Sequence, residues 1–450
     1  MLKRGPETAK AAANFGEGRL PRELIRAYGE VKLAALRSVQ RIDMRWRDEL
    51  FRLIEESLFE IIRGERDEEF PLPLAQGGAG TSIHLNLNEV LAALVTERSG
   101  EELETLDTLD TVEDLARYQS TNDTFSAAVN IALLRGLIET EGAVIRLQEK
   151  LVALETGYDA YLTTGRTEMQ DALPMGVGQL FGSWAGMIER DRWRLSKLAE
   201  RIREIPLGGT AIGTCFTAPR EYVNQATTEL RSITGLPLAR SQNLPDAVSH
   251  KDALAELASG YALAAGNLIT IAEDLLYYTS SAVAEFRHPE LQWGSSIMPV
   301  KVNPVLLEFA KGLAIRVGTS AEAVRLYARE SRLQLNAFLP FLYDSLSSAE
   351  ADLRKALAGM LRFLEEAQVD TDRMEANLAA SPALLNALLP RVGYHRLKPL
   401  IAEFLVRPPA NLQDFQMRAA ASLDIAPETM AQWLKPDSLI AAENPNRRRT

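Results

Sequence analysis

The residues best equipped for chemistry lie in one short stretch, Gly294-Ser295-Ser296-Ile297-Met298-Pro299-Val300-Lys301-Val302-Asn303-Pro304. Two adjacent hydroxyls follow a glycine, and a lysine and an asparagine flank a turn bounded by prolines. Such a loop offers hydroxyl and backbone N–H donors, one fixed positive charge and one amide. That set suits holding a carboxylate and stabilising an anion that develops beside it. The same composition also describes a polar surface loop, and by type alone Lys301 reads as a solvated lysine. Ser120, Thr121 and Asn122 precede a helical run, where they read as a helix cap. Cys215 has no partner signal for a nucleophile and reads as structural. His250, His288 and His395 show no metal-ligand spacing, and no P-loop, dinucleotide or zinc motif appears.

These residues must be positioned by helices. Apolar residues recur at helical spacing over 125–158, 180–205, 253–277, 304–326 and 335–366, while period-two alternation is confined to short pieces. Runs that long suit a long-helix bundle with at most a minor sheet. Gly- and Pro-rich breaks at 76–80, 207–214 and 288–304 fall between the runs and mix Gly with Ser, Thr and Asn. Loops held by a rigid scaffold commonly carry function. The chain divides into a helical N-terminal domain (1–115), a central long-helix domain (116–365) and a small helical C-terminal domain (366–450), with Arg447 to Arg449 as a frayed tail.

Composition bounds the class of protein. The 450 residues carry 50 Lys plus Arg against 61 Asp plus Glu, a net charge of −11, with 46% hydrophobic residues. That balance excludes a disordered or fibrous chain and argues against a nucleic-acid binder, which needs surplus positive charge. One cysteine excludes an intrachain disulfide and fits a reducing compartment. Residues 1–18 lack the apolar core of a secretory signal, and no stretch reads as the ~18 apolar residues needed to span a bilayer. The expectation is a soluble cytoplasmic protein that engages no membrane.

The 294–304 stretch resembles the signature loop of the aspartase/fumarase superfamily, G-S-S-x-M-P-x-K-x-N-P, at every fixed position. Other segments match in chain order. Gly77-Gly78-Ala79-Gly80-Thr81-Ser82 with Asn86-Leu87-Asn88-Glu89-Val90 resembles the family's first active-site segment, and Gln119-Ser120-Thr121-Asn122-Asp123 the second. Gly165-Arg166-Thr167-Glu168-Met169-Gln170-Asp171-Ala172 resembles the third, and Gly209-Thr210-Ala211-Ile212-Gly213-Thr214 a supporting turn. Leu333-Gln334-Leu335-Asn336 and Val392-Gly393-Tyr394 also sit where the family has similar residues, so the likeness runs from about Asn14 onward. The first two segments, and Pro289-Glu290-Leu291-Gln292 before the signature, are most similar to aspartases. The resemblance implies a mostly α, three-domain fold whose central bundles pack into a homotetramer, each active site being assembled from three chains.

It also implies a reaction and roles. Eliminating ammonia from an amino diacid requires removing a weakly acidic C–H proton and holding the resulting aci-carboxylate with positioned donors. By resemblance Ser295 is the base, acting as an oxyanion that backbone N–H groups and Lys301 would stabilise. Ser296, Thr81, Ser120 and Thr121 would bind the carboxylate next to the acidic proton. Asn122, Thr167, Lys301 and Asn303 would hold the other carboxylate and the amino group, with Glu168 and Met298 also at the site. No organic cofactor is implied and no metal-ligand set is visible.

Three departures bear on substrate. Position 168, often His and in some aspartases Gln, is Glu here, and position 84, usually Asn, is His. A His84–Glu168 contact would neutralise both changes; two independent changes are the alternative. The family's Asn-Asp-Leu-Arg and Ser-Gly-Pro-Arg read here as Glu273-Asp274-Leu275-Leu276 and Ser280-Ser281-Ala282-Val283, without the two arginines. The N-terminal segment, Gly5-Pro6-Glu7-Thr8-Ala9-Lys10, is also abbreviated. The expectation is an aspartase-like carbon–nitrogen lyase giving fumarate. A fumarase-type hydratase, a lyase of an N-substituted aspartate whose cationic substituent meets Glu168, and a non-catalytic tetrameric relative are the alternatives.

Overall fold

A computed structural model describes residues 5–99 and 109–440. The tail expected at 447–449 lies outside them. In chain order the helices are α1 (Pro6–Phe15), α2 (Arg22–Asp43), α3 (Asp48–Arg63), α4 (Thr81–Ser99), α5 (Thr121–Gly157), α6 (Val177–Ile202), α7 (Arg220–Thr234), α8 (Leu244–Ser249), α9 (Asp252–Thr279), α10 (Val305–Ala328) and α11 (Leu339–Glu366). Beyond them come α12 (Thr371–Ala380), α13 (Pro382–Val392), α14 (Tyr394–Val406), α15 (Leu412–Leu423), α16 (Pro427–Trp433) and α17 (Pro436–Leu439). The strands are β1 (Leu162–Thr167), β2 (Gln170–Gly176), β3 (Glu204–Ile205), β4 (Ala239–Arg240), β5 (Phe286–Arg287) and β6 (Gln368–Val369). They pair only two by two: β1 with β2 and β5 with β6 antiparallel, β3 with β4 parallel. The fold is mostly α, and each of the five long periodic runs read from the sequence is a helix (α5, α6, α9, α10, α11).

The chain forms two compact units. One comprises Met1–Gly142, Trp193–Ala265 and Ala314–Arg354; the other comprises Ala143–Arg192, Gly266–Leu313 and Lys355–Thr450. This partition does not follow chain order as the 1–115, 116–365 and 366–450 division does, because each of the five long helices contributes residues to both units.

In the first unit α2 packs on α3 and α7, burying Leu24, Leu33, Leu36, Ile54 and Leu58 completely. Each such side chain contributes about 1.5–3 kcal/mol relative to exposure. Between long helices the contacts are closer and partly polar. Gly136 on α5 leaves room for the Glu350 carboxylate of α11, since a Cβ there would lie 2.0 Å from Glu350 Oε2, and the Tyr261 hydroxyl of α9 donates to Glu350 at 2.7 Å. Burial raises the Glu350 carboxyl to about 7. In the second unit α12 to α17 close over their own core of Leu378, Leu384, Leu388, Leu400, Phe404, Phe415 and Met430. Side-chain caps from Asp370, Ser381 and Asn411 start α12, α13 and α15.

One sequence expectation needs correction. The helix α9 does reach the length and apolarity of a membrane span, with a mean hydropathy of 1.3, and half of that window is buried within the chain. The helix packs against α6, where Trp184 donates to its Asp274 at 3.0 Å and its Asn267 donates to Asp191 at 2.8 Å.

Candidate active site

The sequence-predicted site residues divide between the two units. Thr81, Ser120, Thr121 and Asn122 belong to the first, and Thr167, Glu168, Ser295, Ser296, Met298, Lys301 and Asn303 to the second.

In the first unit the start of α5 organises the group. The Ser120 N–H donates to Asp123 Oδ1 at 2.9 Å, and Ser120 Oγ accepts from the Asn122 N–H at 3.2 Å, the hydrogen bond of an N-cap. Ser120 therefore caps the helix, as its position predicts. Thr121 and Asn122 do not: Thr121 Oγ1 lies 3.0 Å from His84 Nδ1, and the Asn122 amide donates to Ala211 O at 2.7 Å. The second oxygen of Asp123 accepts from the Gly208 and Thr210 N–H groups, each at 3.0 Å, so one buried carboxylate ties the 207–214 turn to the helix start. Burial raises Asp123 to about 6 against the opposing pull of these N–H donors.

Thr81 opens α4 on an unusual backbone. Gly78, Ala79 and Gly80 all have positive φ (86°, 57° and 92°), and a Cβ on Gly80 would lie 2.6 Å from the Phe125 ring. Glycine is required there by conformation and by space. The Thr81 hydroxyl donates to Gly78 O at 2.9 Å and is exposed. Farther along α4 the residues that match the family serve structure. The Asn86 and Asn88 amides donate to Glu69 O and Thr111 O, and Glu89 accepts from the Glu7 and Thr8 N–H groups at the start of α1.

His84 is buried and engaged at both nitrogens within this unit, by Lys32 Nζ at 2.8 Å and by Thr121 Oγ1 at 3.0 Å. Both ring nitrogens of His84 therefore have partners inside its own unit, a lysine and a threonine. Sequence reasoning missed Lys32 altogether, although a lysine inside the apolar run Val31-Lys32-Leu33-Ala34 was the available signal.

In the second unit Thr167 and Glu168 lie at the tip of the β1–β2 hairpin. Glu168 and Met169 form its two-residue turn with φ of 54° and 60°, the mirror-image turn that normally takes Asn-Gly. Holding two ordinary side chains in the left-handed region costs about 1–2 kcal/mol each. The hairpin is fixed from below by Arg166, whose guanidinium grips the fully buried Glu285 carboxylate at 2.7 and 3.0 Å, with the Tyr277 and Tyr278 rings at 5.5 and 5.7 Å. Asn377 also donates to Glu285, at 2.8 Å. The segment lacking the family arginines is used in packing: Glu273 pairs with Lys311 at 3.0 Å, and Asp274 accepts from Trp184.

The 294–304 loop is closed by the Asn303 side chain and by close backbone approach. Asn303 donates to Gly294 O at 2.8 Å, and a Cβ on Gly294 would lie 1.9 Å from Lys301 O, so only glycine fits. Within the loop, Ser295 Oγ accepts from the Ile297 and Met298 N–H groups at 3.2 and 3.1 Å. These are the donors an alkoxide at Ser295 would use. Ser295, Ser296 and Met298 line an open pocket of about 400 Å³ with Glu290 and Trp293. Lys301 is exposed, and its N–H donates to Met298 O at 3.1 Å. Cys215 is half-buried, its thiol pushed up by burial, in keeping with a structural residue. Among the described residues no group of three or more His, Cys, Asp or Glu side chains has the arrangement of a metal site.

A lyase family profile matches residues 17–318 of this predominantly helical chain. The chain belongs to the aspartase/fumarase superfamily. It is 31% identical to the class II fumarate hydratase of Ralstonia nicotianae, over 97% of this chain and 95% of that one. To the aspartate ammonia-lyase of a Bacillus species it is 30% identical, over 89% and 86% of the two chains. A crystal structure titled fumarate lyase:delta crystallin from Brucella melitensis bound to cobalt superposes with a TM-score of 0.88 at 30% identity, covering 97% of this chain and 95% of that one.

Proposed function

We propose that this protein is an aspartase-like carbon–nitrogen lyase that eliminates ammonia from L-aspartate to give fumarate. The observation that carries the reading is the pair of backbone N–H groups donating into Ser295 Oγ. They favour the alkoxide that a serine base must become before it can take a carbon-bound proton. Lys301 would add positive charge. Thr81, Ser120, Thr121 and Ser296 would hold the carboxylate beside the reacting carbon, with Asn122, Thr167, Met298 and Asn303 on the remainder of the substrate. The two groups of residues, one in each unit, would meet in a homotetramer whose sites are shared between subunits.

Glu168 favours an amino substrate over malate. A carboxylate next to a dianionic hydroxy acid is repelled, whereas next to an ammonium it is attracted. The second reading, a fumarate hydratase, is favoured by the likeness to class II fumarate hydratases. Fumarate formation from L-aspartate and from L-malate, followed by ultraviolet absorbance, separates the two. The ammonia-lyase reading predicts turnover of aspartate alone, with Glu168→Gln narrowing the preference. Turnover of malate alone would establish the hydratase. Turnover only of a basic N-substituted aspartate, lost in Glu168→Gln, would move the assignment to that substrate class.

A further inference from the structure

The cluster behind Thr121 carries more information than burial alone. Lys32 is fully buried on α2, and its Nζ has three neighbours at 2.8 Å: Leu115 O, Gln119 Oε1 and His84 Nε2. Two of these are fixed acceptors. Leu115 O is a carbonyl, and the Gln119 amide is oriented because its NH₂ faces the Leu115 and Arg117 carbonyls, each at 3.2 Å. Only the exchange with His84 can change sign.

When Lys32 is an ammonium it has three N–H donors for three neighbours, so His84 Nε2 accepts. The single ring hydrogen then sits on Nδ1 and is donated to Thr121 Oγ1 at 3.0 Å. The result is the same if the proton has moved from Lys32 to Nε2, because Nδ1 still carries hydrogen. Once the pair has lost its proton, Lys32 uses its two hydrogens on the carbonyl oxygens and accepts from Nε2–H. His84 Nδ1 is then bare and takes the Thr121 hydroxyl hydrogen. Thr121 is 8% exposed, and His84 is the one hydrogen-bond partner its hydroxyl has among the described residues.

We propose that Lys32 and His84 are positioning residues that share one proton, and that this proton holds the Thr121 hydroxyl as an outward donor to the substrate carboxylate. The inference rests on the reading above that Thr121 binds a carboxylate. The charged and titratable groups facing the pair are Asp123 on α5, whose charge acts on Lys32, and Tyr28 on α2, whose ring centroid is 5.6 Å from that of His84. Burial draws Lys32 below the ordinary lysine range, which brings release of the shared proton toward working pH. It also raises Tyr28, which stays protonated throughout.

The test uses the full-length enzyme with ¹⁵N-labelled histidine, the His84 signal being assigned by its loss in His84→Asn. The proposal predicts hydrogen on His84 Nδ1 at the lower end of the working pH range and a switch to Nε2–H as pH rises. KM for the turned-over substrate should rise about 10–100-fold through the same pH interval, the value of one hydrogen bond to a charged group, with little change in kcat. Lys32→Met should give the high KM at every pH and an unswitching tautomer. Wild type alone suffices should that variant not fold. A His84 Nε2–H tautomer at low pH, or a KM profile that does not track the tautomer, would overturn the proposal. A failure of the aspartase reading is distinguishable, because the tautomer is read without substrate and KM can be read with whichever acid turns over.

Discussion

At the scale of residues, the proposed chemistry turns on a few atoms. Ser295 Oγ receives two backbone N–H groups, and as the proposed base it would contribute about 10²–10⁴-fold to rate. Ser295→Ala should therefore lose that factor in kcat while its urea midpoint stays with wild type. Gly294→Ala should lose activity for a different reason, because its Cβ cannot coexist with Lys301 O and the loop must open. The expected signature is an inactive protein of near-normal unfolding free energy. Asp123 behaves oppositely: Asp123→Ala strands the buried N–H groups of Gly208 and Thr210, each costing about 1–3 kcal/mol, and removes the acceptor of the Ser120 N–H at the cap, so a lower urea midpoint accompanies the loss of activity.

At the scale of elements, what the sequence disclosed and what it concealed have the same physical origin. Helical period and capping chemistry are local, so α5, α6, α9, α10 and α11 and the Ser120–Asp123 cap were legible. The Glu168–Met169 turn was not, because a mirror-image turn built from Glu and Met lacks the Asn-Gly signal and is held by the distant Arg166–Glu285 pair. Met169→Gly should relieve part of that strain and raise stability by about 1 kcal/mol in equilibrium unfolding. Partners far apart in the chain were equally hidden, as with Lys32 and His84, 52 positions apart. Glu350, inside the helix packing, gives the clearest pH dependence. Its folded pKa of about 7 exceeds the unfolded value of about 4.3, so the folded state binds the proton more tightly. Its stabilising contribution is complete below the unfolded value and disappears as pH rises through 7. Glu350→Gln should keep the Tyr261 hydrogen bond, flatten the stability profile between pH 4.3 and 7, and be the more stable protein at pH 8.

At the scale of the whole molecule, the proposed site residues are divided between the two units. Thr121 and Asn122 belong to one unit and Ser295, Lys301 and Asn303 to the other. If a homotetramer joins such groups from different copies, mixing Thr121→Ala and Ser295→Ala subunits after mild dissociation should restore part of the wild-type rate at substrate well below the KM of Thr121→Ala, read beside light scattering for a four-chain mass. Where the family arginines are missing, Glu273 and Asp274 take part in packing with Lys311 and Trp184. The central claim, a serine base acting on an amino diacid, is tested most directly by the absorbance of fumarate formed from L-aspartate, with Ser295→Ala beside wild type. Fumarate from wild type and its loss in a folded Ser295→Ala enzyme are predicted. Equal rates from the two proteins, or no fumarate from wild type, would contradict it.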